Sequence, residues 1–205
     1  MTGGSPGMEE AVPRMLCGDE DAFRVVYREV HPPLVRYLSV LVGPDEADDV
    51  ASETWAQAFR DLSRFSGDAD GFRGWVTTIG RHRALDHLRR RSRRPQVVQG
   101  LGEIAEPPHL DDVEGRVLAA ASTEAVVELV RRLPRDQAEA VMLRAVLGFD
   151  AETAARILGK RAGAVRVASH RGLRRLAAEL GGQPAERISP ATCNTFLPRG
   201  AEGVR

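Results

Sequence analysis

Every patterned stretch of this 205-residue chain repeats its apolar residues at helical spacing, and none alternates convincingly at period two. Phe23, Val26, Tyr27 and Val30 stand at i, i+3, i+4 and i+7, as do Leu34, Tyr37, Leu38 and Leu41. Trp55, Ala58, Phe59 and Leu62 repeat the spacing, then Phe72, Trp75, Val76 and Ile79, with Ala84, Leu85 and Leu88 carrying it forward. Such stripes bury one side of a helix and offer no row of strand positions to pair. The expected fold class is all-α. Pro32 and Pro33 are expected to kink or divide the first stretch. Gly43-Pro44-Asp45 should open the helix that carries Trp55.

The pattern lapses in three places. Residues 1–18 are rich in Gly and Pro and read as a disordered leader. Residues 95–122 hold Pro95, Gly100, Gly102, Pro107 and Pro108 among Glu103, Glu106, Asp111, Asp112 and Glu114, the composition of a flexible acidic linker. Residues 181–205, with Pro184, Pro190 and Pro198 and no period, read as a disordered tail. Two small helical domains remain, 19–94 and 123–180. No apolar run reaches the roughly eighteen residues of a membrane span, so no membrane insertion is expected. No signal-peptide pattern opens the chain. Cys17 and Cys193 are too few for a disulfide framework and fit a reducing compartment, so the expected localisation is cytoplasmic.

Net charge is zero, with 29 Lys+Arg against 29 Asp+Glu, but the charges are segregated. Residues 44–62 carry six acids and one base; residues 81–94 carry seven arginines and one acid; residues 129–180 carry eleven bases and five acids. Block charge speaks of partners rather than fold. On the helix from Pro44, Asp45, Asp49 and Glu53 recur at i, i+4 and i+8, with Asp48 alongside. Like charges at that spacing destabilise a helix by about 0.2–0.5 kcal/mol per pair. A basic partner surface therefore explains the stripe better than folding does. The segment FRGWVTTIGRHRALDHLRRRSRR, residues 72–94, joins aromatic and apolar residues to a basic track, the two ingredients that hold unpaired bases.

Residues 151–176, AETAARILGKRAGAVRVASHRGLRRL, place Ala155, Gly159 and Val165 at A-x3-G-x5-V. A helix-turn-helix needs a small residue where its helices cross, a turn glycine with positive φ and an apolar residue tying the second helix back. Asp150 is the expected N-cap, and Ile157, Leu158, Leu173 and Leu176 the expected core. The second helix would turn Arg161, Ala164, Arg166, Ser169, His170 and Arg171 toward a DNA groove. Catalytic chemistry finds no foothold: there is no G-x-S-x-G, P-loop, H-E-x-x-H or paired-Cys motif. No catalytic residue, metal ligand, cofactor or small-molecule substrate is expected, and the chain is not read as an enzyme.

DAFRVVYREVHPPLVRYL, DEADDVASETWAQAFRDLSRF and FRGWVTTIGRHRALDHLRRR together resemble region 2 of the extracytoplasmic-function (ECF) sigma factors of bacterial RNA polymerase, in the sigma-70 family. LPRDQAEAVMLRAVLGFDAETAARILGKRAGAVRVASHRGLRRL resembles their region 4. The resemblance implies two helical domains, a region 2 bundle and a region 4 helix-turn-helix, serving as a dissociable subunit of RNA polymerase core. It implies that Asp45, Asp48, Asp49 and Glu53 dock on the polymerase β′ clamp, with the β subunit as a further contact. Arg64, Trp75, Arg81, His82, Arg83, Arg89 and Arg90 would then lie on or near the melted −10 element of promoter DNA. The recognition-helix residues Arg161, Ala164, Arg166, Ser169, His170 and Arg171 would read the −35 element. It further implies control by an anti-sigma factor. The alternative is a conventional helix-turn-helix regulator that binds duplex operator DNA without polymerase.

Overall fold

The computed structural model describes residues 6–93 and 125–179; the linker expected at 95–122 and the tail expected at 181–205 lie outside them. The described residues form helices with no strand.

The leader is not loose. Residues Pro6–Leu16 form α1, with Met8, Ala11, Val12 and Met15 buried on the side that packs against α2 (Glu20–Val42). An Arg14–Asp19 ion pair of 2.6 Å spans the turn between them. Asp19 caps α2 by accepting from the amides of Asp21 and Ala22 at 2.9 and 3.0 Å, and those amides with Arg14 hold its carboxyl below the usual range.

Pro32 and Pro33 do not divide α2, which runs unbroken for 23 residues. The prolines withhold two amides from the carbonyls of Arg28 and Glu29, four residues earlier, and both of these residues are exposed. The neighbours Leu34, Tyr37 and Leu38 are almost wholly buried, so packing outweighs the two lost hydrogen bonds.

α3 (Pro44–Asp61) begins with Pro44 at its first turn, as the sequence predicts. It buries Ala47, Val50, Ala51, Thr54, Trp55 and Ala58, but Phe59, expected in the core, is 52% exposed. A 3-10 turn at Leu62–Arg64 leads to α4 (Ala69–Arg93). Gly80 lets α4 lie close on α2 and α3, because a Cβ there would meet Leu34 Cδ1 at 3.0 Å and Thr54 Oγ1 at 3.4 Å.

The second unit contains α5 (125–131), α6 (Arg135–Val141) running on into a π turn at Met142–Val146, α7 (Ala151–Leu158) and α8 (Ala162–Glu179). The expected helix-turn-helix devices are in place. Gly159 has φ +65° at the end of α7, and Val165 is fully buried. Gly172 allows the α6–α8 crossing, since a Cβ there would stand 2.7 Å from Val141 Cγ2. Leu173, expected in the core, is 47% exposed.

The Asp150 carboxylate caps α7 by accepting from the Thr153 amide at 2.6 Å, and that amide holds its pKa below the ordinary value. A depressed carboxyl stabilises the fold above its unfolded pKa and loses that effect as pH falls through the lower folded one. Asp150→Ala is expected to cost about 1 kcal/mol at neutral pH. The deficit should shrink toward zero in denaturation curves taken below the folded pKa.

The two units pack together, α4 on α7 and α2 on α6, and share a continuous apolar core. No described helix is long and apolar enough to cross a membrane.

Candidate nucleic-acid interface

Asp45, Asp48 and Asp49 stand exposed along one side of the N-terminal half of α3. The line continues through Ser52, Ala56 and Phe59, all exposed, so the acidic edge runs into an apolar one. Phe59 belongs to a ring cluster, 4.7 Å from Phe23, which in turn meets Trp55 edge-on at 5.9 Å. Behind it Tyr27 stacks on His31 at 4.6 Å, and Trp55 Nε1 donates to His31 Nδ1 at 3.3 Å. Burial depresses the His31 pKa, against the pull of Asp48.

Glu53 differs from the three aspartates. Arg90 donates to it at 3.5 Å, while Glu46 meets His87 at 3.4 Å and Arg91 at 4.0 Å. The acidic helix and the basic end of α4 are thus joined at the surface by the exposed pairs Glu53–Arg90 and Glu46–Arg91, each worth little in water.

The residues expected at the melted strand are spread along α4 and the turn before it. Arg64 is exposed beside Asp61, at 3.4 Å. Trp75 is half-buried against Phe65 and Phe72, with ring centroids at 5.1 and 5.7 Å. His82 is exposed. Arg83 donates to Gln57 Oε1 at 2.5 Å, and Arg89 pairs with Asp86 at 3.0 Å. Arg81 is the exception. Its side chain is only 16% exposed, and its Nε lies 2.7 Å from Glu139 Oε2 on α6. An arginine read as free to meet DNA is engaged at the seam between the two units.

Sequence reasoning missed that seam. Glu139 is 3% exposed and accepts from Tyr37 at 3.4 Å, Arg81 at 2.7 Å and Arg135 at 3.0 Å. Burial works against the charge on Arg81, but the bond to Glu139 outweighs it and raises its pKa. Burial and the same carboxylate push Tyr37 well above its ordinary value. Eight residues earlier on α4, Arg73 donates to the Leu147 carbonyl at 2.5 Å and lies 5.2 Å from the centre of the Phe149 ring. The one signal available was an acid set among Ala138, Ala140, Val141 and Met142.

On α8, Ala164, Arg166, His170 and Arg171 are exposed, and Arg161, expected on this helix, is exposed in the turn just before it. Ser169 is corrected: it is 4% exposed, because Val165, Ser169, Gly172 and Leu176 form the inner side of α8. Arg166 Nη2 lies 2.5 Å from Glu152 Oε1 in the first turn of α7, a contact between two exposed side chains that is worth little in water. Among the described residues no cluster of His, Cys, Asp or Glu could hold a metal ion.

Comparison with known proteins gives this geometry a context. A family model described as Sigma-70 region 2 matches residues 26–94, and one described as Sigma-70, region 4 matches residues 123–176. The chain is 33% identical over 178 residues to the ECF RNA polymerase sigma factor BldN of Streptomyces coelicolor, covering 84% of this chain and 66% of BldN. It is 33% identical over 183 residues to the ECF RNA polymerase sigma factor SigD of Mycobacterium tuberculosis, covering 84% of each. In fold it resembles the sigma factor RpoE solved with the anti-sigma factor NepR from Bartonella quintana, with a TM-score of 0.61 at 23% identity, over 78% of this chain and 96% of that one.

Proposed function

This chain belongs to the ECF RNA polymerase sigma factors of the sigma-70 family, and we propose that it joins RNA polymerase core and directs it to promoters. In this reading residues 19–94 form the core-binding and melting domain, 95–122 the linker and 123–180 the −35 domain. The α3 edge of Asp45, Asp48 and Asp49 docks on the basic surface of the β′ clamp. Glu53 joins it once Arg90 lets go. The exposed basic length of α4 holds the −10 element as single strand, and the outward side of α8 enters duplex at the −35 element. The chain binds and positions; the polymerase carries out catalysis. Its place of action is the cytoplasm, and an anti-sigma factor covering the two domains restrains it.

The observation that carries this reading is the separation of surfaces. One chain exposes an acidic edge on α3 and, on a distinct unit, a helix-turn-helix whose turn presents Arg161 and whose second helix presents Arg166, His170 and Arg171. An operator-binding regulator has no use for the first of these. Energetically, unstacking a base costs a few kcal/mol, and stacking it on protein returns about 1–3 kcal/mol. Holding −10 and −35 elements at once adds the effective concentration of a linked pair.

Run-off transcription tests the proposal. Core polymerase should initiate at specific promoters only when the chain is added. Arg166→Ala should lower that output, and about 1–3 kcal/mol of discrimination between promoter sequences should be lost if Arg166 reads guanine. Initiation that does not depend on the added chain would sink the assignment. So would tight, specific binding of duplex DNA by the chain alone.

A further inference from the structure

Glu139 projects from α6 into the first domain, where two of its three hydrogen-bond donors reside, the guanidinium of Arg81 and the hydroxyl of Tyr37. Only Arg135 belongs to its own helix. A carboxylate this deeply buried is tolerated because those donors replace water. Seen from the first domain, Arg81 and Tyr37 are two donors converging on one anion. When the second unit moves away, both lose their acceptor. Arg81 then becomes an uncompensated cation on the helix whose exposed bases include His82, Arg89, Arg90 and Arg91. A guanidinium fork suits phosphate as well as carboxylate.

We propose that Arg81 and Tyr37 form an anion site whose ligand in the DNA-engaged protein is a backbone phosphodiester, and that Glu139 occupies this site as an internal substitute while the domains are packed together. The inference rests on the reading of α4 as a DNA-binding helix and deepens it. One pair of donors serves two acceptors in turn, and the exchange couples domain separation to strand capture. The second domain is fastened along the same helix at Arg73, through Leu147 and Phe149, so α4 is the rail on which the two states compete.

The test measures binding of the full chain, without polymerase, to a fluorescent single-stranded oligonucleotide across a salt series. Glu139→Gln keeps the shape and removes the charge. It should raise affinity roughly tenfold, the worth of one charge-assisted hydrogen bond. It should also steepen the salt dependence by about 0.7 in log–log slope, the share of one phosphate on a single strand. Adding Arg81→Met should abolish both gains. An unchanged affinity in a Glu139→Gln chain that melts normally overturns the proposal, as does a gain that survives Arg81→Met.

A second arm does not depend on that variant's folding. A Cβ at Gly74 would sit 3.5 Å from Thr153 Cγ2 across the seam, in van der Waals contact with that side chain, so cysteines at the two positions would face one another, and loss of free thiol on oxidation reports the cross-link that locks the domains. With Cys17→Ser and Cys193→Ser in place, oxidation of Gly74→Cys/Thr153→Cys should weaken oligonucleotide binding, and reduction should restore it. Binding indifferent to oxidation overturns the proposal. Run-off assays of the unaltered chain separate this from the parent reading. Failed promoter-specific initiation removes the sigma assignment, whereas normal initiation with unresponsive oligonucleotide binding removes only the anion site.

Discussion

Asp48→Arg/Asp49→Arg is expected to reduce affinity for core polymerase by at least about thirtyfold, with no loss of thermal stability. Truncating one side of a desolvated charge pair costs about 2–5 kcal/mol, and reversal adds repulsion from the same partner. Both aspartates are exposed on α3, so the fold has little stake in them; relieving like-charge crowding there favours the helix. Titration of labelled chain with core, beside a circular-dichroism melt, gives both numbers. Glu53→Arg provides the graded control, because Glu53 already shares its charge with Arg90 and should matter less. Undiminished affinity in the double variant would reduce the acidic edge to a solvated surface.

The largest expected effect on stability is at Phe72. It is 1% exposed and packed edge-on to Phe65 at 5.2 Å. Phe72→Ala should cost about 3–5 kcal/mol, a large share of the stability of a domain this size. Because Trp75 packs on the same ring, the loss should also loosen the surface proposed to receive the −10 strand. Phe59→Ala, at a ring equally periodic in sequence but 52% exposed, should cost no more than about 1 kcal/mol. Urea denaturation of the two variants decides the contrast, and equal costs would mean that the core is wrongly drawn.

Local rules were legible and tertiary ones were not. Asp150, Gly159 and Val165 act over a few residues, through a cap, a positive φ and one apolar tie, and each stands where its spacing predicts. Phe59 and Leu173 continue a helical period yet face outward, because an apolar stripe can be wider than the core beneath it. Ser169 was placed on the wrong side of α8 because composition marked it as polar. Its neighbours at helical spacing, Val165 and Gly172, place it on the inner side. α1 carried its signal openly, with Met8, Ala11, Val12 and Met15 at i, i+3, i+4 and i+7, hidden behind Pro13 and the surrounding glycines. Of the candidate site, the acidic edge and the exposed face of α8 could be read from charge and period. The capture of Arg81 could not, because Glu139 lies 58 residues away and only the folded chain brings them together.

The paired prolines of α2 have a mechanical consequence. A helix ordinarily frays from its ends, where rungs are missing; α2 also lacks two rungs at its midpoint, beside Arg28 and Glu29. Slack is thereby placed between a half that carries Phe23 and Tyr27, beneath the acidic edge, and a half that carries Tyr37, at the seam. A long rod missing two rungs there resists bending less than an intact one, and what keeps it straight at that point is the burial of Val30 and Leu34 on either side of the prolines.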